Sequence, residues 1–241
     1  MDLLFLSLIF GLAILYSSVG HGGASGYLAL MAIFNFTPEL MRPSALVMNI
    51  FVSSIALFSY FRNGHFKLRL LLPFIVTSIP VAFIGGSITA NPKTYKIILG
   101  LFLLIAIARM VIQTKSSLNE IKEVNKTGAY VIGIFLGFFS GLIGIGGGII
   151  LSPIIILLKW GTVKQTAAVS AAFILVNSIS GLLGQVSQGI QLAPELGYML
   201  GAAILGGTIG SYAGSFRVTE TVLRYTLSLV LIFASFKLMF L

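Results

Sequence analysis

The strongest constraint on this chain is the recurrence of apolar runs of about 18 or more residues, each long enough to cross a hydrocarbon layer roughly 30 Å thick as a helix. The runs cover residues 3–34 with a glycine-rich interruption, 40–61, 68–89 and 95–112, then 129–158 with a second glycine-rich interruption, 166–185, 196–216 and 222–240. With 57% of 241 residues hydrophobic and 9% charged, too little polar surface remains to solubilise a globular domain. The expectation is an all-α integral membrane protein. The first run follows Asp2 rather than a basic stretch and shows no convincing processing site, so it reads as a retained segment and not a signal peptide.

The only long polar connector carries Lys115, Glu120, Lys122, Glu123, Asn125 and Lys126. It divides the chain into a first transmembrane repeat, 1–113, a cytoplasmic linker, 114–127, and a second transmembrane repeat, 128–241. Gly20-His21-Gly22-Gly23 aligns with Gly144-Ile145-Gly146-Gly147 at an offset of 124. Ser54 then maps to Ser178 and Gly86-Ser87 to Gly210-Ser211, and after a small insertion Leu99 faces Leu227 and Arg109 faces Lys237. Internal duplication of this kind is common in secondary transporters.

Lys and Arg in short loops accumulate on the cytoplasmic side. Arg62, Lys67 and Arg69 crowd one loop, whereas its repeat counterpart, 186–194, has no basic residue, so equivalent loops face opposite sides. On that basis Arg109, Lys115, Lys122, Lys126, Lys159, Lys164, Arg217 and Arg224 also lie inside, giving 11 basic residues against 4 outside, namely Arg42, Lys93, Lys96 and Lys237. The expected fold is two inverted repeats, each a glycine-broken first segment (a helical hairpin) plus three transmembrane helices, with both termini outside. The rival reading takes each interrupted segment as two full crossings, for which the second arms, 24–34 and 148–158, look short.

Non-helical backbone at membrane depth persists only where protein or a watery cavity satisfies its amides. In Ser17-Ser18-Val19-Gly20-His21-Gly22-Gly23-Ala24-Ser25 and in Ser140-Gly141-Leu142-Ile143-Gly144-Ile145-Gly146-Gly147-Gly148, glycine lets the backbone turn and approach a ligand closely. A helix restarts after each motif, its first amides and positive dipole end facing the break, which suits a small anion. The candidate substrate-binding residues are therefore Ser18, Gly20, His21, Gly22, Gly23 and Ser25 with Asn49 from the first half, and Gly144, Gly146, Gly147 and Gly148 with Asn177 from the second. Ser17 and Ser140 are further neutral donors. Ser152-Pro153 also reads as an N-cap followed by proline, an alternative start for the second restarted helix. Against the ligand role stands close helix packing through small residues.

His21 is the one ionisable group expected at the membrane centre and is the candidate for proton coupling, the bland alternative being a neutral ring bonded to backbone. Asn49 and Ser53, and Asn177 with Ser170, fall at helical spacing to face one path, though interhelical hydrogen bonding explains them equally. Arg42 at a segment start reads as a snorkelling anchor or an attractor of anions, and Lys159-Trp160 as an interface anchor. The absence of cysteine, of an HExxH motif and of a buried carboxylate pair leaves no enzyme, metal or cofactor reading. The net charge of +9 is dispersed between apolar runs, which does not suit nucleic acid. The expected partners are a small anion and the lipid bilayer, and a homodimer is compatible with such a chain.

The paired motifs, Ser18-Val19-Gly20-His21-Gly22-Gly23 and Gly141-Leu142-Ile143-Gly144-Ile145-Gly146-Gly147-Gly148, on a two-repeat chain resemble those of the sulfite exporter TauE/SafE family. The resemblance spans nearly the whole chain and implies transport of sulfur-containing anions such as sulfite, sulfonates or sulfoacetate at the cell (inner) membrane. His21 departs from the apolar residue at the matching position of the second motif, Ile145. A passive anion channel and a non-transporting assembly subunit are the competing functions.

Overall fold

The computed structural model describes residues 3–89, 91–112 and 121–214. The last expected run, 222–240, and Lys115, Arg217, Arg224 and Lys237 lie outside the described residues. Nine helices are described: α1 (Leu3–Ser17), α2 (Ala24–Ile33), α3 (Pro38–Arg62), α4 (Leu68–Gly86), α5 (Pro92–Ile112), α6 (Lys126–Ile143), α7 (Gly148–Leu157), α8 (Val163–Val186) and α9 (Leu196–Gly214). Among the described residues there is no strand. Five of the helices, α3, α4, α6, α8 and α9, are long and apolar enough to cross a membrane. Their outward faces carry large apolar side chains, including Phe58, Val76, Phe83, Val131, Leu183 and Leu205, as lipid contact requires.

The three short apolar helices belong to the two interrupted segments and to their arms. At 10 residues each, α2 and α7 rise about 15 Å, half the thickness of a hydrocarbon layer. The chain doubles back at each break. Tyr16 of α1 accepts a hydrogen bond from Ser25 of α2 at 2.8 Å, Gly26 lies against Leu12, and Phe5 meets Phe34 and Phe36 with ring centroids 4.8 and 5.4 Å apart. In the second segment Gly147 lies against Leu136, and Gly128 against the Trp160 ring.

The two halves are interleaved. α4 runs beside α6 in the same direction, with Gly133, Gly137 and Gly141 seated in turn on the backbone of Phe74, Ser78 and Ala82. α1 and α9 repeat the arrangement, Gly206 and Gly210 resting on the Phe10 and Ile14 carbonyls. A stripe of small residues at every fourth position lets two backbones touch, which is how helices gain packing energy where no hydrophobic effect drives them together. A Cβ on Gly141 would run into the Ala82 carbonyl, so the approach depends on glycine there. α3 and α8 cross at the centre, each also packing on the partner half's third-segment helix, α9 and α4.

Contacts between loops sort the charges to two ends. The Lys122 amide donates to the Lys159 carbonyl at 2.8 Å, Trp160 packs on Phe74 with centroids 6.1 Å apart, and Gly161 meets Leu70. Arg62, Lys67, Arg69, Lys122, Lys126, Lys159 and Lys164 therefore share one end. At the other, Arg42 Nη2 donates to the Ile88 carbonyl at 3.2 Å and the Ala193 amide to Ser44 Oγ at 3.3 Å, which gathers Arg42, Lys93 and Lys96.

Three local expectations are corrected. Trp160 is buried, 8% exposed, where it packs on Phe74, so it is a core residue and not a lipid-exposed anchor. Arg42 is 9% exposed, packed against protein and bonded to the Ile88 carbonyl past the end of α4 instead of extending free at the surface. The second helix restarts at Gly148, and Ser152-Pro153 lies inside it. Pro153, the sixth residue of α7, forgoes the intrahelical bond that an amide there would make to the Ile149 carbonyl.

Candidate functional site

Each break is built from a turn followed by a left-handed glycine. After α1, the Val19 amide donates to the Tyr16 carbonyl at 3.2 Å, Gly20 to Ser17 at 3.1 Å and His21 to Tyr16 at 2.9 Å, which winds the helix shut. Gly23 then takes φ +93° and caps α2, and Gly147 takes φ +75° and caps α7, conformations that strain any residue with a Cβ. Restarting a helix leaves its first amides without intrahelical acceptors. The amides of Gly22, Gly23, Ser25 and Gly26 at one break, and of Gly146, Gly147, Gly148 and Ile149 at the other, have no acceptor among the described residues.

The two breaks converge on one side chain. Asn49, fully buried on α3, accepts from the Ala24 amide through Oδ1 at 3.0 Å, and its Nδ2 donates to the Ile145 carbonyl at 3.2 Å and to Ser178 Oγ at 3.4 Å. Gly22 and Gly146 both abut the Asn49 carboxamide and the Ile174 side chain. A second link crosses between the halves: His21 Nε2 lies 3.2 Å from the Gly148 carbonyl and 3.0 Å from Ser152 Oγ, and Ser152 Oγ is 2.7 Å from Ser170 Oγ. With the proton on Nε2 the ring donates across the gap; the tautomer follows from those partners.

The structure brings the two glycine motifs together, and the side chains named with them divide. His21, Gly22, Gly23, Gly146, Gly147 and Gly148 line the convergence, with Asn49 between them. Gly20 and Gly144 sit one step away, against the starts of α8 and α3 at Ala167 and Arg42. Ser18 Oγ turns back to the Leu15 carbonyl at 2.7 Å, and Ser25 Oγ goes to Tyr16, so neither hydroxyl is aimed at the gap. Asn177 is fully buried; its Nδ2 donates to the Phe173 carbonyl at 2.9 Å, and its Oδ1 has no partner. Tyr27 was missed. Its hydroxyl is buried, unpartnered and pressed against Gly23, so it supplies a donor beside the first break. The one available signal was a tyrosine one helical turn after the last motif glycine. The Ser140 hydroxyl is likewise buried and unpartnered at the end of α6.

Spanning helices gathered round two buried, donor-rich breaks define a polytopic membrane transporter. The chain belongs to the sulfite exporter TauE/SafE family, whose description, "Sulfite exporter TauE/SafE", matches residues 4–238. It is 35% identical over 234 residues to the probable membrane transporter protein y4hK of Sinorhizobium fredii, covering 95% of each chain. It is 30% identical over 142 residues to the probable membrane transporter protein MJ0441 of Methanocaldococcus jannaschii, covering 57% of this chain and 53% of that one. To the probable membrane transporter protein YdhB of Bacillus subtilis it is 24% identical over 222 residues, covering 88% and 89%. No solved structure matches.

Proposed function

We propose that this transporter carries a small anion, of the sulfur-containing oxyanion class (sulfite, sulfonate or sulfoacetate type), bound near the midplane between the two glycine breaks. The observation that carries the reading is the pair of buried amide sets without acceptors, held together by Asn49. Buried donors left unpaired are costly, and an anion with several acceptor oxygens satisfies many at once without any buried counter-charge. The family membership supports the sulfur-oxyanion class. Gly22, Gly23, Gly146, Gly147 and Gly148 supply backbone donors, Tyr27 and Ser140 hydroxyls, and His21 a ring nitrogen that also serves as the proton-coupling candidate. The protein transports and does not catalyse.

The directions of the helices support an inverted repeat. α2 doubles back on α1, short loops reverse the chain again into α3 and α4, and α4 runs alongside α6, so α6 is opposed to its repeat equivalent α1. The interrupted segments are then hairpins that enter and leave on one face. The end holding the Arg62, Lys67 and Arg69 loop is cytoplasmic by the basic-loop rule, which puts the N-terminus outside the inner membrane.

Thermal unfolding of the purified protein against sulfite, thiosulfate, sulfoacetate, taurine, sulfate, acetate and chloride tests the site, since a ligand of the folded state raises its stability by mass action. Selective stabilisation by sulfur oxyanions is expected, lost in Gly22→Val. A folded, monodisperse protein indifferent to every anion would overturn the anion reading.

A further inference from the structure

Arg42 is a buried cation without a buried anion. The residue is 9% exposed, Nη2 donates to the Ile88 carbonyl at 3.2 Å, the Tyr95 ring lies 5.9 Å from the guanidinium, and Nε is buried with no partner. No ion pair joins it to a carboxylate among the described residues; Glu39, one turn earlier on α3, is exposed and acts on the guanidinium through its charge without contact. A charge withdrawn from water is costly unless an opposite charge meets it, more so within a membrane protein.

Its place in the fold is equally specific. The Arg42 backbone lies against Gly144, and the Tyr95 hydroxyl donates to the Ile143 carbonyl at 2.9 Å, so the aromatic shelf under the guanidinium is tied to the residue just before the second break. The repeat equivalent of Arg42, at the offset of 124, is Thr166, whose neighbour Ala167 lies against Gly20 at the first break. Thr166 is 1% exposed and its hydroxyl also lacks a partner. The two breaks are thus flanked alike, with a cation beside one and a neutral hydroxyl beside the other.

We propose that Arg42 is an anion-recognition residue for a small oxyanion, forming a subsite at the entrance beside the second break, on the face opposite the Arg62, Lys67 and Arg69 loop. The free Nε and its neighbouring nitrogen present the planar fork that pairs with two oxygens of one anion. This rests on the anion reading above and adds where the charge of the substrate is met.

The experiment measures sulfite binding by titration calorimetry, with unfolding temperature as the second readout, on the full-length protein in nanodiscs as wild type, Arg42→Gln and Arg42→Lys. Expected are weakening of about tenfold or more in Arg42→Gln and a smaller loss in Arg42→Lys, which keeps the charge without the fork. Ligand-free Arg42→Gln is expected to unfold at or above the wild-type temperature, because an unpaired charge has been removed. Unchanged sulfite affinity in Arg42→Gln, with or without loss of ligand-free stability, would make Arg42 a structural anchor and overturn the proposal. Should Arg42→Gln not fold, unchanged affinity in Arg42→Lys overturns it equally. Wild-type protein that binds no sulfite would instead remove the anion reading and this subsite with it.

Discussion

Asn49 and Asn177 are equally buried asparagines on the two central helices, and the structure predicts very unequal consequences of losing them. Asn49→Ala removes the acceptor of the Ala24 amide and the donor to the Ile145 carbonyl, stranding one backbone group at each break. Each stranded buried group costs about 1–3 kcal/mol, so the variant should lose roughly 2–6 kcal/mol. For a chain of this size about 1 kcal/mol moves the unfolding temperature by 2–4 °C, giving a fall of roughly 4–24 °C. Asn177→Ala breaks one bond within its own helix, to the Phe173 carbonyl, and deletes an oxygen that has no partner. Its cost should stay at or below about 1 kcal/mol, near 2–4 °C. The assay is thermal unfolding in one detergent, followed by tryptophan fluorescence and by monodispersity after heating. Equal shifts for the two variants, or an Asn49→Ala protein as stable as wild type, would refute the account of Asn49 as the tie between the breaks.

Gly141→Val should abolish recovery of folded protein, since its Cβ would strike the Ala82 carbonyl, whereas Gly201→Ala, with open space around it, should be neutral or stabilise by up to about 1 kcal/mol; size-exclusion profiles and unfolding temperatures separate the two. Trp160→Ala should lower stability by about 3–5 kcal/mol as a buried aromatic would, and an effect near zero would restore it to the lipid interface. His21→Gln should remove any dependence of uptake on an imposed pH gradient in proteoliposomes and weaken, without abolishing, selective anion stabilisation, since the backbone donors remain; gradient-driven uptake that survives the change would dismiss His21 as the coupling group.

What could be read from the sequence was what local chemistry decides. The spans follow from apolar length, and the described helices α3, α4, α6, α8 and α9 keep close to the expected limits. The breaks follow from glycine clusters that no membrane helix tolerates without reason. Even α8 begins where Thr162 and Gln165 form a capping box, a pattern available in the sequence, whereas hydropathy alone starts the helix three residues late. Features set by packing between the halves were not legible. Ser152 looked like a helix start because Ser-Pro usually is one, and only the approach of His21 and Ser170 reveals its place. Nothing in the spacing distinguishes Asn49 from Asn177, since what separates them is the position of Ile145 in the other half. The burial of Trp160 and the free hydroxyl of Tyr27 have the same origin in contacts far apart along the chain.

The interleaving of α1 with α9 and of α4 with α6 has a consequence for how the protein is made. The surface that α1 offers to the Gly206 and Gly210 stripe has no occupant until nearly two hundred further residues have been synthesised and inserted. The newborn first half therefore waits in the bilayer with its most intimate contacts unmade, and neither half can complete itself when expressed without the other.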